Sequence, residues 1–294
     1  MKQESTTAAE SQASQLAARL PQLLLAAERV AAAISGGVHG RRRSGTGETF
    51  WQFRHSQAGD PATSIDWRQS ARTQDLFVRE TEWSAAQTVG LWRDGSASMA
   101  WRSSRQLPEK RERAELLLLA LGALLLKGGE KVALLSGALP PTTGGGALAR
   151  LAAALLGEKP KSLPTPGRLP RHAEMVLVSD FLMPLDEINT ALRGLAAGGA
   201  TGHLLQVLDP AEESLPYEGR IRFSGCEGEG DILARRAEDL RGSYQRRLAA
   251  HRDGLAAMTS ALGWSFATHH TDQPPQTALL ALHVRLSTPR SGTR

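Results

Sequence analysis

The sequence predicts an α/β protein built on a doubly wound, mostly parallel sheet. Two observations carry this. From Ser98 onward, short apolar segments alternate with helix-patterned ones, the order that lays helices over both faces of a parallel sheet. Two of the apolar segments, Val89–Trp92 and Met175–Val178, end beside an aspartate, Asp94 or Asp180, as strands do where their carboxyl ends line a ligand crevice.

Taken in order, residues 1–14 are rich in Ser, Thr, Gln and Ala without an apolar period, and are expected to be disordered. A helix starts at Pro21, carries Leu23, Leu24, Ala27, Val30, Ala31 and Ile34 at helical spacing, and stops at Gly36-Gly37. Residues 48–92 change period. Phe50–Phe53, Ser64–Trp67 and Leu76–Val78 are short aromatic or β-branched runs separated by turn residues, which predicts a small antiparallel unit feeding a strand over Gln87–Trp92. A tryptophan in such a run is expected to bury its ring, so Trp67 is placed between the β unit and the main sheet.

Pro108, Glu109 and Glu112 open a helix that carries Leu116–Leu126 and ends at Gly128-Gly129. Strands follow at Lys131–Ser136, Met175–Ser179 and His203–Leu208, with helices at Ala147–Leu156 and Leu185–Ala197. A long helix is expected over Ile232–Leu262, then a strand over Trp264–Thr268 and a closing helix over Pro275–Leu286. The loop Gly157–Arg171, with four prolines, reads as a flexible insert. The predicted organisation is a disordered 1–14, a helix and small β unit over 15–86, an α/β domain over 87–286 and a tail over 287–294.

Composition narrows the function classes. One cysteine, Cys226, excludes an internal disulfide framework and any multi-cysteine zinc site, and fits a reducing, cytoplasmic compartment. The apolar run Leu116–Leu126 is short of the roughly 20 residues a helix needs to cross a bilayer, and Met1–Ser14 lacks the order of a secretory signal. Basic residues exceed acidic ones by only 35 to 30 and cluster once, at Arg41–Arg43, so no specific nucleic-acid partner is expected.

The chemistry concentrates at Asp94-Gly95-Ser96-Ala97-Ser98. One carboxylate and two hydroxyls fixed at a strand end are hard oxygen donors of the kind Mg²⁺ accepts while keeping a position for an outside ligand. The same spacing also suits a turn or helix cap. Asp180, in Ser179-Asp180, follows a second apolar strand in the same manner and is expected to face Asp94 across the crevice. A phosphate hydrolase built on Asp94 and Asp180 is the enzymatic alternative, but the position two residues on, where such enzymes carry an acid, is Ser96. His269-His270-Thr271-Asp272 reads as a surface turn. In Arg54–Arg72, Asp60 and Asp66 can each accept from Arg54, Arg68 or Arg72 as an ion-pair lattice, with a recognition surface as the other reading.

Gly59-Asp60, Ile65-Asp66-Trp67-Arg68, Ser70-Ala71-Arg72, the acidic strand Val78–Glu82 and then Asp94-x-Ser96-x-Ser98-Met99 together resemble the bacterial family called domain of unknown function 58. The resemblance runs from about Leu20 to Leu286 and includes Ser179–Leu182 and Leu208–Glu212. It implies a von Willebrand A-like doubly wound sheet with a metal-ion-dependent adhesion site. Asp94, Ser96, Ser98 and Asp180 match its metal ligands. The family's threonine motif is replaced by Lys161–Gly167, where Thr165 stands in, with Thr142 or Thr143 as the other choice. The resemblance further implies Mg²⁺, with Mn²⁺ as the other candidate, and a partnership with a MoxR-type AAA+ ATPase. The expected protein is non-enzymatic and adhesive.

Overall fold

The computed structural model describes residues 19–34, 44–57, 60–72, 75–82, 86–158, 161–165, 169–170, 173–228 and 230–287. Residues 1–14, Arg41–Arg43, most of the 287–294 tail and parts of the Gly157–Arg171 loop, for which the sequence carries expectations, lie outside them. The chain divides into two compact units, Val38–Ala86 and a larger one made of Met1–Gly37 with Gln87–Arg294.

Residues 19–34 are helical (α1). Ala27, Val30, Ala31 and Ile34 are its buried positions, three or four residues apart on one face. Arg19 pairs with Glu112 and Glu115. These contacts explain why the helix groups with the α/β unit and not with the β unit that follows it in sequence.

In the smaller unit β1 (Ser44–His55) pairs antiparallel with β2 (Phe77–Glu82), with register shifts between Gly45 and Gln52. The run Ser64–Trp67 departs from its predicted strand. Ala62–Ser64 is a 3-10 turn, Ile65 makes a single bridge to Val78, and Trp67–Ser70 is a helical turn, α2. Asp66 is the reason, since its carboxylate accepts from the backbone N–H of Gln69 at 2.9 Å and caps that turn. Trp67 is therefore carried on a helical turn, not a strand, with 62% of its surface exposed. Of the expected ion pairs, Asp60 takes both terminal N–H groups of Arg54 at 2.7 Å.

The larger unit runs β3 (Thr88–Arg93), a 3-10 turn (Ala97–Ala100), α3 (Lys110–Lys127), β4 (Lys131–Leu134), α4 (Ala147–Leu156), β5 (Glu174–Ser179), α5 (Leu185–Ala196), β6 (Thr201–Leu208), α6 (Pro210–Ser214), hairpin strands β7 (Ile221–Ser224) and β8 (Asp231–Ala234), α7 (Ala237–Ala261), β9 (Ser265–His270) and α8 (Pro275–Ser287). Five strands form a sheet in the order β4-β3-β5-β6-β9, with every neighbouring pair parallel. An isolated antiparallel bridge from Val132 to Thr142 adds one residue pair beyond β4. This is the doubly wound α/β sheet that the sequence predicts.

Alternation along the strands separates the two faces. Trp92, Met175, Leu177 and Leu204 pack with Ile188 and Leu192 of α5 and Leu255 of α7. Arg93, next to Trp92, turns the other way and reaches Glu115 of α3. On that side α3 packs against α4 and α8. Every residue of β3, β5 and β6 is buried, which is why their middles read as apolar runs such as Val89–Trp92 and Met175–Val178. The run Leu116–Leu126 belongs to α3, whose interior position accounts for its apolarity. Among the described residues no helix is long and apolar enough to cross a membrane.

The structure divides the predicted helix Ile232–Leu262. Its first residues form β8, paired antiparallel with β7 over Ile221–Ser224, and the helix starts only at Ala237, with Glu238 and Asp239 in the first turn where the helix dipole favours acids. In β7, Ile221 and Phe223 alternate with Arg222 and Ser224, a period-2 signal too short to stand out.

Candidate functional site

The sheet order places one reversal of winding between β3 and β5. From β3 the chain moves outward to β4, then crosses back to β5 on the other side and continues to β6 and β9. In such sheets the carboxyl ends of the two strands flanking the reversal open a crevice. Asp94 leaves β3 there and Asp180 leaves β5, side by side across that point.

The two aspartates and the serines between them form one continuous chain of contacts. Asp94 is wholly buried and stays tied to the sheet, its N–H donating to Val178 O at 2.8 Å. Its Oδ1 accepts from Ser96 N at 2.7 Å and its Oδ2 from Ser179 Oγ at 2.6 Å. The turn reading of Asp94 is thus realised, and it is what aims the serines. Ser96 Oγ lies 3.0 Å from Ser98 Oγ, and Ser98 Oγ donates to Asp180 Oδ2 at 2.8 Å. Gln206 of β6 holds the backbone of Asp180 through its carbonyl at 2.8 Å.

The backbone after Asp180 is held in an unusual conformation. Phe181 sits at φ 48°, the left-handed region that non-glycine residues avoid. Its N–H donates to Ser179 Oγ at 2.9 Å, and His251 donates through Nε2 to its carbonyl at 2.6 Å. Such strain persists only where the surroundings over-determine it, as at binding sites.

Sequence reasoning missed two charged members. Lys110, the first residue of α3, is wholly buried and places Nζ 2.9 Å from Asp180 Oδ2 and in contact with Glu212 Oε1. Glu212 also closes a capping box at α6, accepting from Asp209 N at 2.9 Å. The available signal was Asp209-Pro210-Ala211-Glu212 directly after an apolar strand, which reads as a cap and fixes a carboxylate at a strand end. At the mouth, Glu227 in the β7–β8 turn accepts from Ser98 N at 3.3 Å.

Burial pushes the Asp94 carboxyl from 3.8 up to about 6. Hydrogen bonds from Ser179 and Ser96 oppose that rise, and the charge of Asp180 adds to it. For Lys110 burial alone would favour the neutral amine, but the charges of Asp180 and Glu212 outweigh it and hold the ammonium above its ordinary pKa.

The donor set, two carboxylates and two hydroxyls, has the hard-oxygen chemistry that Mg²⁺ accepts. Ser96 Oγ, Ser98 Oγ and Asp180 Oδ2 are spaced 3.0 and 2.8 Å in succession. Thr165 is exposed and makes no hydrogen bond to these residues among those described. Thr142 bridges to Val132 near the start of β4, toward the other end of the strands, and accepts from Arg150 at 3.1 Å. The structure therefore brings together Asp94, Ser96, Ser98 and Asp180 by hydrogen bonds, and ties the loop that carries Thr165 beside them, Gly95 N donating to Lys161 O at 2.9 Å.

His269 and His270 end β9 and do not form a surface turn. His269 is buried beside Arg113, which donates to Thr271 O and Gln273 O at 2.7 Å each and so clamps α3 to the end of the strand.

Comparison with known proteins places the chain among similar sequences. It is 27% identical over 277 residues, 88% of this chain and 86% of the other, to uncharacterized protein Rv1480 of Mycobacterium tuberculosis, and to the same degree to uncharacterized protein Mb1516 of Mycobacterium bovis. Among solved structures it is similar to the conserved hypothetical protein BatB from Bacteroides thetaiotaomicron, with TM-score 0.42 and 16% identity, covering 69% of this chain and 99% of that one. A second is an aerotolerance-related membrane protein from Bacteroides fragilis, with TM-score 0.41 and 17% identity, covering 68% of this chain and 98% of that one. Residues 52–254 match the family described as protein of unknown function DUF58, and the chain belongs to that family.

Proposed function

We propose that this chain is a non-enzymatic, metal-dependent protein-interaction protein with a von Willebrand A-like domain, working in the cytoplasm with a MoxR-type AAA+ ATPase in a chaperone or assembly role. One observation supports the reading: the hard oxygens of Ser96, Ser98 and Asp180 converge at a doubly wound sheet's reversal point, with Asp94 behind them. Asp94, Ser96, Ser98 and Asp180 would hold Mg²⁺ or Mn²⁺. The bound ion supplies an electrophilic position to which a carboxylate on the partner can attach.

The chain's own residues do the rest. Asp94 orients both serines through the turn, Gln206 and the strained Phe181 fix Asp180, and the apolar faces of β3 and β5 keep the crevice rigid. The contact of Glu227 with Ser98 N supports a mouth that admits a carboxylate. Ser96 stands where a strand-end aspartate phosphatase would need an acid, which favours binding over turnover.

The test is co-purification of the tagged chain with a AAA+ ATPase, in Mg²⁺ and in chelator, for the wild type and Asp94→Ala. Recovery of the ATPase only with the wild type and only in Mg²⁺ is expected. Equal recovery in all four samples refutes metal-dependent adhesion.

A further inference from the structure

Lys110 carries a charge where a charge is hardest to keep. Its side chain is wholly buried, and it opens α3, where the helix dipole is positive and disfavours a cation. Loss of hydration and the dipole both oppose an ammonium there. What keeps it is the acidic pair: Nζ lies 2.9 Å from Asp180 Oδ2 and contacts Glu212 Oε1, with the Trp101 ring centroid 6.0 Å away. A helix seeking only to fill this space would do so with an apolar side chain at no such cost.

The oxygen that Lys110 takes is the one the Asp94 group shares. Asp180 Oδ2 accepts from Ser98 Oγ at 2.8 Å and from Lys110 Nζ at 2.9 Å. A divalent ion lodged against Ser96, Ser98 and that oxygen would sit beside the ammonium, and like charges at this range in a buried site repel strongly. The lysine has another partner in reach, because Glu212 Oε1 is fixed by the α6 cap whatever happens at Asp180.

We propose that the Lys110 ammonium is a tethered cation that holds the place of a divalent ion at Asp180, so that the ion binds only by displacing it toward Glu212. The inference rests on the metal-dependent reading of the site and assigns its control. Without the ion, Lys110 neutralises Asp180 and keeps the crevice assembled. With the ion, Asp180 changes cation and Lys110 remains paired with Glu212. Affinity for the ion is thereby set low by the chain itself, and the site responds to changes in free ion instead of being permanently filled.

The test uses the full chain as wild type, Lys110→Met and the double variant Lys110→Met/Glu212→Gln, which removes one charge of each sign and guards against misfolding of the single variant. Each is titrated with Mn²⁺ and with Mg²⁺ by calorimetry and melted in chelator and in excess ion. Removing the like charge is expected to tighten Mn²⁺ binding by roughly tenfold or more. The ion should also raise the melting temperature of both variants by more than it raises that of the wild type. Binding in the wild type that is unchanged or weakened in both variants overturns this inference and leaves the metal reading standing. Absence of ion binding in all three proteins overturns both.

Discussion

Replacing Asp94 by asparagine should make the ion-free protein more stable while ending its response to metal. The substitution removes the charge and keeps a carbonyl acceptor for Ser96 N, and the new amide can donate to Ser179 Oγ. Burial raises the Asp94 carboxyl from 3.8 to about 6. Above pH 6 the folded protein therefore holds a carboxylate that the unfolded chain accommodates at lower free energy. A rise of about two units at about 1.4 kcal/mol each makes this penalty about 3 kcal/mol. It is full above pH 6, fades as pH falls toward 3.8 and vanishes below that, because both states are then protonated. For a domain of this size, 3 kcal/mol corresponds to a gain of roughly 6–12 °C in melting temperature. The assay is thermal melting of wild type and Asp94→Asn in chelator, near neutral pH and below pH 3.8, followed by melts with excess Mg²⁺. The difference between the two proteins should be large at neutral pH and close to nil in acid, and Mg²⁺ should raise only the wild type. An Asp94→Asn protein that melts at or below the wild type near neutral pH refutes the reasoning, since the buried carboxylate would then carry no penalty to relieve.

Three further outcomes follow from the fold. Burial, together with the positive charges of Arg113 and His270, lowers His269 from 6.5 to about 4. Between those values the unfolded chain takes up a proton that the folded one refuses, so the wild type should lose up to about 3 kcal/mol as pH falls through that window. Urea midpoints should show His269→Gln losing correspondingly less. Trp67→Ala should leave stability within about 0.5 kcal/mol of the wild type, as expected for an exposed surface position, because the ring is 62% exposed; a large drop in the melting curve would count against that. A Cβ on Gly202 would lie 2.1 Å from Cε3 of the Trp264 ring, so Gly202→Ala should cost about 1–3 kcal/mol or more by overpacking, with a shifted Trp264 fluorescence as a second readout.

The parallel sheet was legible because its signal is local and redundant. Strands buried on both faces are mostly apolar, so β3 and β5 appear as the runs Val89–Trp92 and Met175–Val178, and helices such as Ala147–Leu156 announce themselves by period and by glycine at their ends. Where a single side chain decided the local structure, the pattern misled. Ser64–Trp67 has the residues of a strand, but Asp66 caps the next turn and converts it to helix. Ile232–Ala234 has helix-compatible residues, but its partner strand Ile221–Ser224 draws it into a hairpin. Sheet partners lie outside any local window, so no local reading could have found that pairing.

The same division runs through the site. By itself the sequence determined that Asp94, Ser96 and Ser98 share one strand end and that Asp180 follows another, because a strand and the turn after it are contiguous in the chain. That these ends meet was an expectation from the doubly wound pattern, and the tertiary structure fulfils it by setting β3 beside β5 at the reversal of winding. It alone brought Lys110, from the start of α3, between the carboxylates of Asp180 and of Glu212 in α6. The physical reason is that a buried charge is stable only beside its counter-charge, and here 70 residues of chain separate Lys110 from Asp180 and 102 separate it from Glu212. No spacing rule spans such distances; the packing of α3 and α6 on one sheet does.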